Sequence, residues 1–124
     1  MKFYICKHCK KIVAMVNEVS TDTICCNEVM EELVPGAVEA AHEKHIPVVE
    51  VKGNQVYVTV GSVAHPMQDV HYIEWIVVET DKGAKRRKLL PEQSPEATFT
   101  LEADETLLHV YAYCNLHGLW VKSW

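Results

Sequence analysis

The sequence contains no run of apolar residues near the roughly 18 that a membrane-spanning helix needs. Its first residues, MKFYICKHCKK, lack the apolar segment of a secretory signal peptide, so we expect a cytoplasmic protein. Basic charge is not in excess either, because the formal net charge is -5. Nucleic-acid binding needs a basic face and is therefore not expected. The one basic cluster, residues 85–88, is interpreted as a solvated strand or hairpin edge, where lysine is common.

The chain does contain enough apolar sequence for a packed core. Its 124 residues are 48% hydrophobic and 23% charged, which is typical of a soluble globular protein. The length fits one small module followed by one domain of about ninety residues. Neither an internal repeat nor a low-complexity segment is present. We place a boundary at Pro35-Gly36, which predicts domains at residues 1–35 and 36–124.

Beyond Pro47 the sequence favours short β-strands separated by turns. β-Branched and aromatic residues predict strands at 48–51, 56–60, 71–80, 84–90, 97–102 and 107–113. Before them, Gly36 to Lys44 is expected to form one short helix or turn, which Pro47 ends. Strands at spacings of about ten residues favour an antiparallel sandwich, so the predicted fold class is mostly β.

Four of the five cysteines lie within the first 26 residues. Cys6 and Cys9 form a CxxC motif, and Cys25 and Cys26 are adjacent. In a reducing compartment such thiols bind metal or react, whereas a disulfide framework is not expected. A module of about 35 residues is also too small to be stabilised by its own core, so we expect a metal ion to stabilise it.

The adjacent cysteines pose a geometric problem, because neighbouring side chains on a strand point to opposite faces. Cys25 and Cys26 can both reach one metal only where the backbone turns sharply, and we expect a distorted tetrahedron. Four thiolates suit zinc as well as iron, so the ligand types leave the metal open. A vicinal disulfide is a further alternative. His8, inside the CxxC motif, is interpreted as a solvated loop residue.

The fifth cysteine lies apart from the others, three residues before a histidine. Cys114 and His117 belong to the segment YCNLHGLW, in which Gly118 is expected to allow a close backbone approach. Three more histidines occur in distinctive settings, EKHIP, AHPM and VHYIE: His45, His65 and His71. Four imidazoles and one thiolate would leave the sixth position of an octahedral metal open. His42 and His109 lack such settings and are interpreted as a surface helix residue and a strand residue.

From end to end the sequence resembles desulfoferrodoxin, the two-iron form of superoxide reductase. The resemblance is carried by CKHC, CCNEVM, EKHIPVVE, GSVAHPM, HYIEW and CNLHGLW. It implies a small desulforedoxin-like module followed by an immunoglobulin-like antiparallel β-sandwich. The module would hold one iron ion in four thiolates, from Cys6, Cys9, Cys25 and Cys26. The sandwich would hold a second iron with an axial thiolate and four equatorial imidazoles, from Cys114, His45, His65, His71 and His117.

The resemblance also implies an activity, the one-electron reduction of superoxide to hydrogen peroxide. The partners it implies are superoxide, an electron donor such as rubredoxin and a second copy of the chain in a homodimer. Glu43 and Lys44 resemble the mobile pair of the family, in which the carboxylate occupies the open metal position of the ferric resting state. Lys44 would attract the superoxide anion and order a proton-donating water, since the net charge of the chain is repulsive.

The first module departs from the family pattern in two positions. A glycine usually follows each cysteine pair, and this chain has Lys10 and Asn27 there. Asparagine tolerates the left-handed conformation fairly well and lysine less so, which leaves the geometry of the first site in question. The first iron would be either an electron relay or a structural staple, and zinc substitution there stays open.

Four other functions remain as alternatives. A non-catalytic, rubredoxin-like electron-transfer protein would cycle reversibly and have no open metal position. A zinc-stabilised interaction module would be colourless. Superoxide dismutation would need a ferric state that readily oxidises superoxide, which a thiolate ligand disfavours. A nucleophilic enzyme using Cys114 and His117 would need a third group to orient the base, and it would leave the other histidine settings unexplained.

Overall fold

The computed structural model describes residues 1–124 and divides them into two compact units, Met1–Val34 and Pro35–Trp124. The first unit has five short strands: β1 Phe3–Ile5, β2 Ile12–Ala14, β3 Ile24–Cys25, β4 Glu28–Val29 and β5 Glu31–Glu32. Strands β2, β1 and β5 form one antiparallel sheet, and β3 pairs with β4 in a hairpin. Only three side chains of this unit are buried, those of Phe3, Cys6 and Met30. Apolar burial alone therefore gives this unit little stability.

The second unit contains one short helix and seven strands: α1 His42–His45, β6 Pro47–Lys52, β7 Gln55–Val60, β8 Ile73–Thr80, β9 Gly83–Lys88, β10 Glu96–Thr100, β11 Leu107–Cys114 and β12 Gly118–Ser123. The strands form two antiparallel sheets with the orders β10-β7-β6 and β12-β11-β8-β9. Three strands facing four are the arrangement of an immunoglobulin-like sandwich, so the predicted fold class is confirmed. With four residues, α1 is far too short to cross a membrane, and no other helix is long and apolar enough.

Alternating residues of the strands fill the space between the two sheets. On β7, Val56, Val58 and Val60 are buried while the side chains between them are exposed, which is the two-residue period of a strand with one face in the core. The facing sheet contributes residues such as Ile76 and Val110 to the same cluster. Cys114 belongs to this cluster as well, so the core extends to the end of β11.

Two elements differ from the sequence-based prediction. Only the end of segment 36–44 is helical, and α1 contains none of the alanines on which the prediction rested. A helix of so few residues depends on tertiary contacts rather than on helix propensity. Strand β12 was not predicted, although it pairs with β11 along its whole length, from Cys114↔Gly118 to His109↔Ser123. The basic cluster at 85–88 lies on β9, an edge strand, as interpreted from the sequence.

A nearly buried carboxylate ties together the end of the sandwich at which β11 begins. The side chain of Glu105 is 6% exposed and accepts a hydrogen bond from Lys85 Nζ at 2.9 Å. It also accepts from Thr80 Oγ1 and from the backbone N–H of Glu102, both at 2.8 Å. These bonds, the one from Glu102 foremost, lower the pKa of Glu105 from 4.5 to about 2. The carboxylate thus links β8, β9 and the loop between β10 and β11.

Because the pKa of Glu105 is lower in the folded state, the carboxylate should stabilise the fold fully above about pH 4.5 and progressively less as the pH falls towards 2. We expect Glu105→Gln to flatten this part of the acid dependence of the unfolding free energy, measured by denaturant titration. Asp104→Asn is the matched control, since the side chain of Asp104 is 71% exposed and its only ion pair is with Lys82. An acid dependence equal to that of the wild type in Glu105→Gln would contradict the prediction.

Candidate metal centres

The structure gathers the first four cysteines at one point of the N-terminal unit. The Sγ atoms of Cys6, Cys9, Cys25 and Cys26 all lie within 4.8 Å of one another. Cys25 Sγ is 3.7 Å from Cys9 Sγ and 3.9 Å from Cys26 Sγ. A tetrahedral metal with bonds of about 2.3 Å to sulfur requires sulfurs about 3.8 Å apart. The four thiols therefore fit a single ion.

The CxxC motif lies in the loop that joins β1 to β2. The backbone N–H of Cys6 donates to Lys11 O, and that of Lys10 donates to Cys6 O, each at 2.9 Å. Lys10 has φ 66°, the left-handed conformation that glycine adopts without strain. A lysine holds this conformation at a steric cost of roughly 1–2 kcal/mol. The loop therefore keeps the backbone of a glycine-containing turn despite the substitution.

The adjacent cysteines lie at the hairpin turn that joins β3 to β4. Cys25 pairs with Glu28, so Cys26 and Asn27 are the two central turn residues. Their φ angles are 52° and 62°, and positive φ at both central positions is the signature of a type I′ turn. This is the sharp turn that the adjacent pair required. It lets both sulfurs approach one point although they are neighbours in the chain.

The thiols of this cluster differ in acidity. Backbone N–H groups, that of Cys9 foremost, donate to the sulfur of Cys6 and lower its pKa to about 6. Hydrogen bonds with the other thiols, first of all with Cys6, raise the pKa of Cys26 to about 12. Four sulfurs so close together become thiolates together only when a cation compensates their charge. His8 is exposed and pairs with the Glu28 carboxylate at 3.0 Å, which agrees with its interpretation as a solvated loop residue.

The second cluster lies at the end of the sandwich where β11 turns into β12. Ring nitrogens of His45, His65 and His71 lie within 4.8 Å of one another and of Cys114 Sγ. His117 adjoins them from the turn, with Nδ1 3.1 Å from His45 Nε2 and 3.9 Å from Cys114 Sγ. Helix α1, the long β7–β8 loop, the end of β11 and the following turn thus bring together the five residues that the sequence analysis singled out.

Backbone carbonyls determine which ring nitrogens face the centre of this cluster. His45 Nδ1 lies 2.7 Å from Ala41 O, and His65 Nδ1 lies 2.7 Å from Pro66 O. A carbonyl only accepts, so each Nδ1 donates its proton and each neutral ring keeps a lone pair on Nε2. The two Nε2 atoms face one another at 3.1 Å. Two lone pairs repel at this distance, and a cation between them would turn the repulsion into attraction.

Burial keeps the imidazoles and the thiol of this cluster uncharged until a cation binds. It is the main cause that lowers the pKa of His65 to about 4 and that also lowers the pKa values of His45 and His71. It likewise raises the pKa of the Cys114 thiol. His71 Nε2 is buried without a hydrogen-bond partner, which is rare for a polar atom. Neutral imidazoles with inward lone pairs and one buried thiol fit a transition-metal ion such as iron or zinc.

Asn115 was missed by the sequence analysis although it lies between two candidate ligands. Its Oδ1 accepts the backbone N–H of Tyr72 at 2.9 Å, and its Nδ2 donates to Val70 O at 3.0 Å. The backbone N–H of Asn115 also donates to Tyr72 O at 3.2 Å. These three bonds clasp the segment that carries His71 to the turn that follows Cys114. No spacing in the sequence shows this contact, since the two segments are some forty residues apart.

Trp120 is a second residue that the sequence analysis did not assign a role. Its Nε1 donates to His117 O at 3.1 Å, and its ring centroid lies 5.0 Å from that of His45. It therefore supports two imidazoles from different elements. His42 is exposed at the start of α1, and His109 lies on β11 with its Nδ1 2.8 Å from Glu79 Oε1. Both match the roles read from the sequence.

The reason for glycine at position 118 differs from the one expected. A Cβ atom on Gly118 would meet only Val38 Cγ2, at an ordinary contact distance of 3.5 Å. Its φ, however, is 77°, a conformation that side chains disfavour. The turn geometry therefore requires this glycine, and close backbone approach does not.

Glu43 and Lys44 lie on α1 directly before His45, and both side chains are exposed. The Lys44 cation adds to burial in lowering the pKa values of His45 and His71, which reflects its proximity to the ring cluster. In contrast to its side chain, the backbone carbonyl of Glu43 is held in place. It accepts the N–H of Val63 at 2.9 Å and the hydroxyl of Ser62 at 3.2 Å.

Comparison with known proteins gives consistent matches along the chain. The profile of the family described as Desulfoferrodoxin matches residues 37–123. A desulfoferrodoxin homolog from Archaeoglobus fulgidus is 44% identical over 120 residues, which are 97% of this chain and 94% of the relative. The crystal structure of the superoxide reductase from Treponema pallidum matches with a TM-score of 0.82 and 42% identity over 98% of both chains. The superoxide reductase (1Fe-SOR) from Giardia intestinalis matches 66% of this chain and 97% of its own, with 31% identity and a TM-score of 0.57.

Proposed function

The chain belongs to the desulfoferrodoxin family, and from this membership we propose that it is a superoxide reductase, an oxidoreductase that converts superoxide to hydrogen peroxide. The observation that carries the proposal is the cluster of inward-facing imidazoles and one buried thiol, in a chain that matches a superoxide reductase over 98% of its length. A non-catalytic electron-transfer protein is not favoured, since it has no need for a second cluster that leaves a metal position open.

Two iron ions per chain are part of the proposal. Residues 1–35 form a desulforedoxin-like module with iron bound by Cys6, Cys9, Cys25 and Cys26. Residues 36–124 form the reductase domain with iron bound by His45, His65, His71, His117 and Cys114. The sulfur separations of 3.7 and 3.9 Å and the facing lone pairs of His45 and His65 support these ligand sets. Zinc also suits four sulfurs, so metal analysis of the purified protein distinguishes zinc from iron in the first centre.

The reaction consumes one electron and two protons for each superoxide. Iron at the second centre would supply the electron, and a thiolate ligand would make the loss of that electron easier. The side chains of this protein bind the ion and determine the charge around it. The neutral imidazoles hold a cation without adding charge, and the Cys114 thiolate places one negative charge within the buried cluster. The five residues would hold the ion and leave room for the anion to bind to it.

Glu43 and Lys44 act at the mouth of this site. Superoxide approaches a chain with a formal charge of -5, so an exposed local cation must provide the attraction, and Lys44 is the cation beside the cluster. Lys44 also orders a water that donates a proton. In keeping with the family, the Glu43 carboxylate would serve as a further ligand of the iron in the oxidised resting state and would be released on reduction.

The partners and the cellular location complete the proposal. A small redox carrier such as rubredoxin donates the electrons, and two copies of the chain form a homodimer, both in keeping with the family. The five cysteines are free thiols, which supports a cytoplasmic location because reducing compartments favour thiols.

The proposal is tested by adding superoxide anaerobically to the reduced, iron-loaded protein while the visible spectrum and the peroxide formed are followed. We expect a ferric thiolate band to grow in, with equal amounts of superoxide consumed and peroxide formed and no oxygen released. Oxygen release would indicate dismutation. A spectrum that does not change in the iron-loaded protein would indicate a non-catalytic electron-transfer protein, and an unchanged spectrum in a colourless, zinc-loaded protein would indicate an interaction module.

Cys9→Ser should disable the first centre and spare the reaction at the second. The substitution removes one of four sulfurs, so we expect the first metal to be lost or weakly bound. The rate at which the pre-reduced second centre reacts with superoxide, measured by rapid mixing, should stay at the wild-type value, because a complete tetrahedron of sulfurs offers no open position. The match of the Giardia 1Fe-SOR to only 66% of this chain supports this division. Loss of the half-reaction while the second iron is still bound would contradict it.

A further inference from the structure

We propose that the turn at residues 61–63 is a positioning element for superoxide capture, because it holds the Glu43 carbonyl and thereby sets where Lys44 presents its cation. The inference rests on the function proposed above and deepens it. It assigns a role to Gly61 and Ser62, which contribute no metal ligand and which the sequence analysis left unassigned.

Hydrogen bonds from this turn saturate the Glu43 carbonyl. A carbonyl oxygen has two lone pairs, and here one accepts the Val63 N–H at 2.9 Å and the other the Ser62 hydroxyl at 3.2 Å. Helix α1 has only four residues, too few to be stable by its own hydrogen bonds. The turn therefore supplies a large part of what keeps the Glu43–Lys44 backbone in place.

Gly61 is the point of closest fit between the turn and the helix. A Cβ atom there would lie 2.6 Å from Glu43 O and 3.0 Å from the carbonyl carbon of Lys44. These are backbone atoms, which cannot rotate aside as a flexible side chain does. The φ of Gly61 is not in the left-handed range, so the requirement for glycine here comes from the close approach. Any side chain at this position must displace the peptide that joins Glu43 to Lys44.

The turn is itself held between the core and a candidate ligand. It follows Val60, which is fully buried in β7, and the backbone N–H of His65 donates back to Val60 O at 2.9 Å. The exposed side chains of Glu43 and Lys44 thus extend from a backbone that is anchored to the core. Since electrostatic attraction weakens with distance, the anchor determines how strongly the Lys44 cation acts at the cluster.

The test compares Gly61→Ala, Lys44→Ala and the double variant in the full-length, iron-loaded and pre-reduced protein. We expect Gly61→Ala to slow superoxide capture by about 3- to 10-fold and to weaken its dependence on salt. In the double variant Gly61→Ala should add little to the effect of Lys44→Ala, because both remove the same interaction. An effect of Gly61→Ala that does not act through Lys44 would instead slow capture equally with and without Lys44.

Two further variants separate positioning from destabilisation. Gly53→Ala is the matched control, since Gly53 has φ 59° and open space around it, so alanine strains the backbone without touching α1. We expect it to lower the melting temperature and leave the capture rate unchanged. Ser62→Ala removes one bond to Glu43 O without a clash and should slow capture by about 2-fold, an effect that Lys44→Ala again masks. Iron content is measured for each variant, so that lost ligation is not mistaken for lost positioning.

Each outcome bears on the proposal. A Gly61→Ala variant that keeps its iron and captures superoxide at the wild-type rate would overturn it. So would a double variant in which the rate reductions of Gly61→Ala and Lys44→Ala multiply. If Gly61→Ala does not fold, the same comparison with Ser62→Ala decides. A wild-type protein that forms no peroxide would overturn the proposed function and this inference with it, whereas a working wild type beside an unaffected Gly61→Ala overturns the inference alone.

Discussion

Replacing Cys114 by serine is expected to abolish superoxide reduction and the ferric thiolate absorption of the second centre. Cys114 is 0% exposed and lies 3.9 Å from His117 Nδ1. Burial already raises the pKa of its thiol, so ionisation there depends on a bound cation. A serine hydroxyl is far less acidic and would remain a neutral, weak ligand. Because serine is close to cysteine in shape, the fold should survive the change.

The effect of Cys114→Ser is measured by second-site iron content, visible spectrum and rate of reaction with superoxide. Replacing a residue that merely supports a metal ligand typically lowers metal affinity or activity by about 10- to 100-fold. We therefore expect the loss of a ligand itself to lower the reaction rate by at least about 100-fold. Cys9→Ser is the control, since it makes the same chemical change at the first centre. A serine variant that keeps its iron, its absorption band and its rate would show that Cys114 is not a ligand.

Lys44→Ala is expected to slow superoxide capture by about 10-fold or more and to weaken its dependence on ionic strength. The chain as a whole repels an anion, so removing the Lys44 cation beside the cluster removes an attraction that salt screens. The reaction of the pre-reduced protein is followed by rapid mixing at several salt concentrations.

Lys52→Ala is the matched control for Lys44→Ala. Lys52 is an exposed lysine at the far end of β6, so its removal makes the same change in net charge away from the cluster. We expect this variant to keep the wild-type capture rate within about 2-fold. Equal effects of the two substitutions would mean that net charge alone matters, and unchanged kinetics in Lys44→Ala would remove Lys44 from the mechanism.

Much of the fold follows from local patterns. The alternation of buried and exposed residues on β7 is a direct consequence of strand geometry, and the turn at Gly53 separates β6 from β7 where the sequence predicted it. Prediction was poorer where local signals were weak or ambiguous. Strand β12 begins with a glycine inside the CNLHGLW motif, and its buried and exposed residues do not alternate as they do on a strand with one face in the core. Segment 36–44 has helix-forming alanines, yet propensity in so short a segment is outweighed by tertiary contacts.

Metal binding by both clusters could be predicted from residue types and short spacings. Three local features carry this prediction: a CxxC motif, an adjacent cysteine pair and a cysteine three residues before a histidine. Each of them places two donor atoms within a few residues of one another, where a single turn of the chain can bring them together. The sharp turn at Cys26-Asn27 could even be inferred from the requirement that both neighbouring sulfurs face one point. Its type I′ conformation, with positive φ at both residues, came only from the structure.

The arrangement of the donor atoms depends on contacts between residues that are far apart in the chain. No single stretch of sequence contains both partners of such a contact. His45 meets His65 and His117 across separations of 20 and 72 residues, and backbone carbonyls orient two of the rings. Asn115 clasps a loop more than forty residues earlier, and Gly61 fits beneath the Glu43 carbonyl. Residue types thus determined which donors and charges are available, because that is a property of each side chain alone. Folding set their distances, orientations and acidities, because these depend on neighbours that only packing brings together.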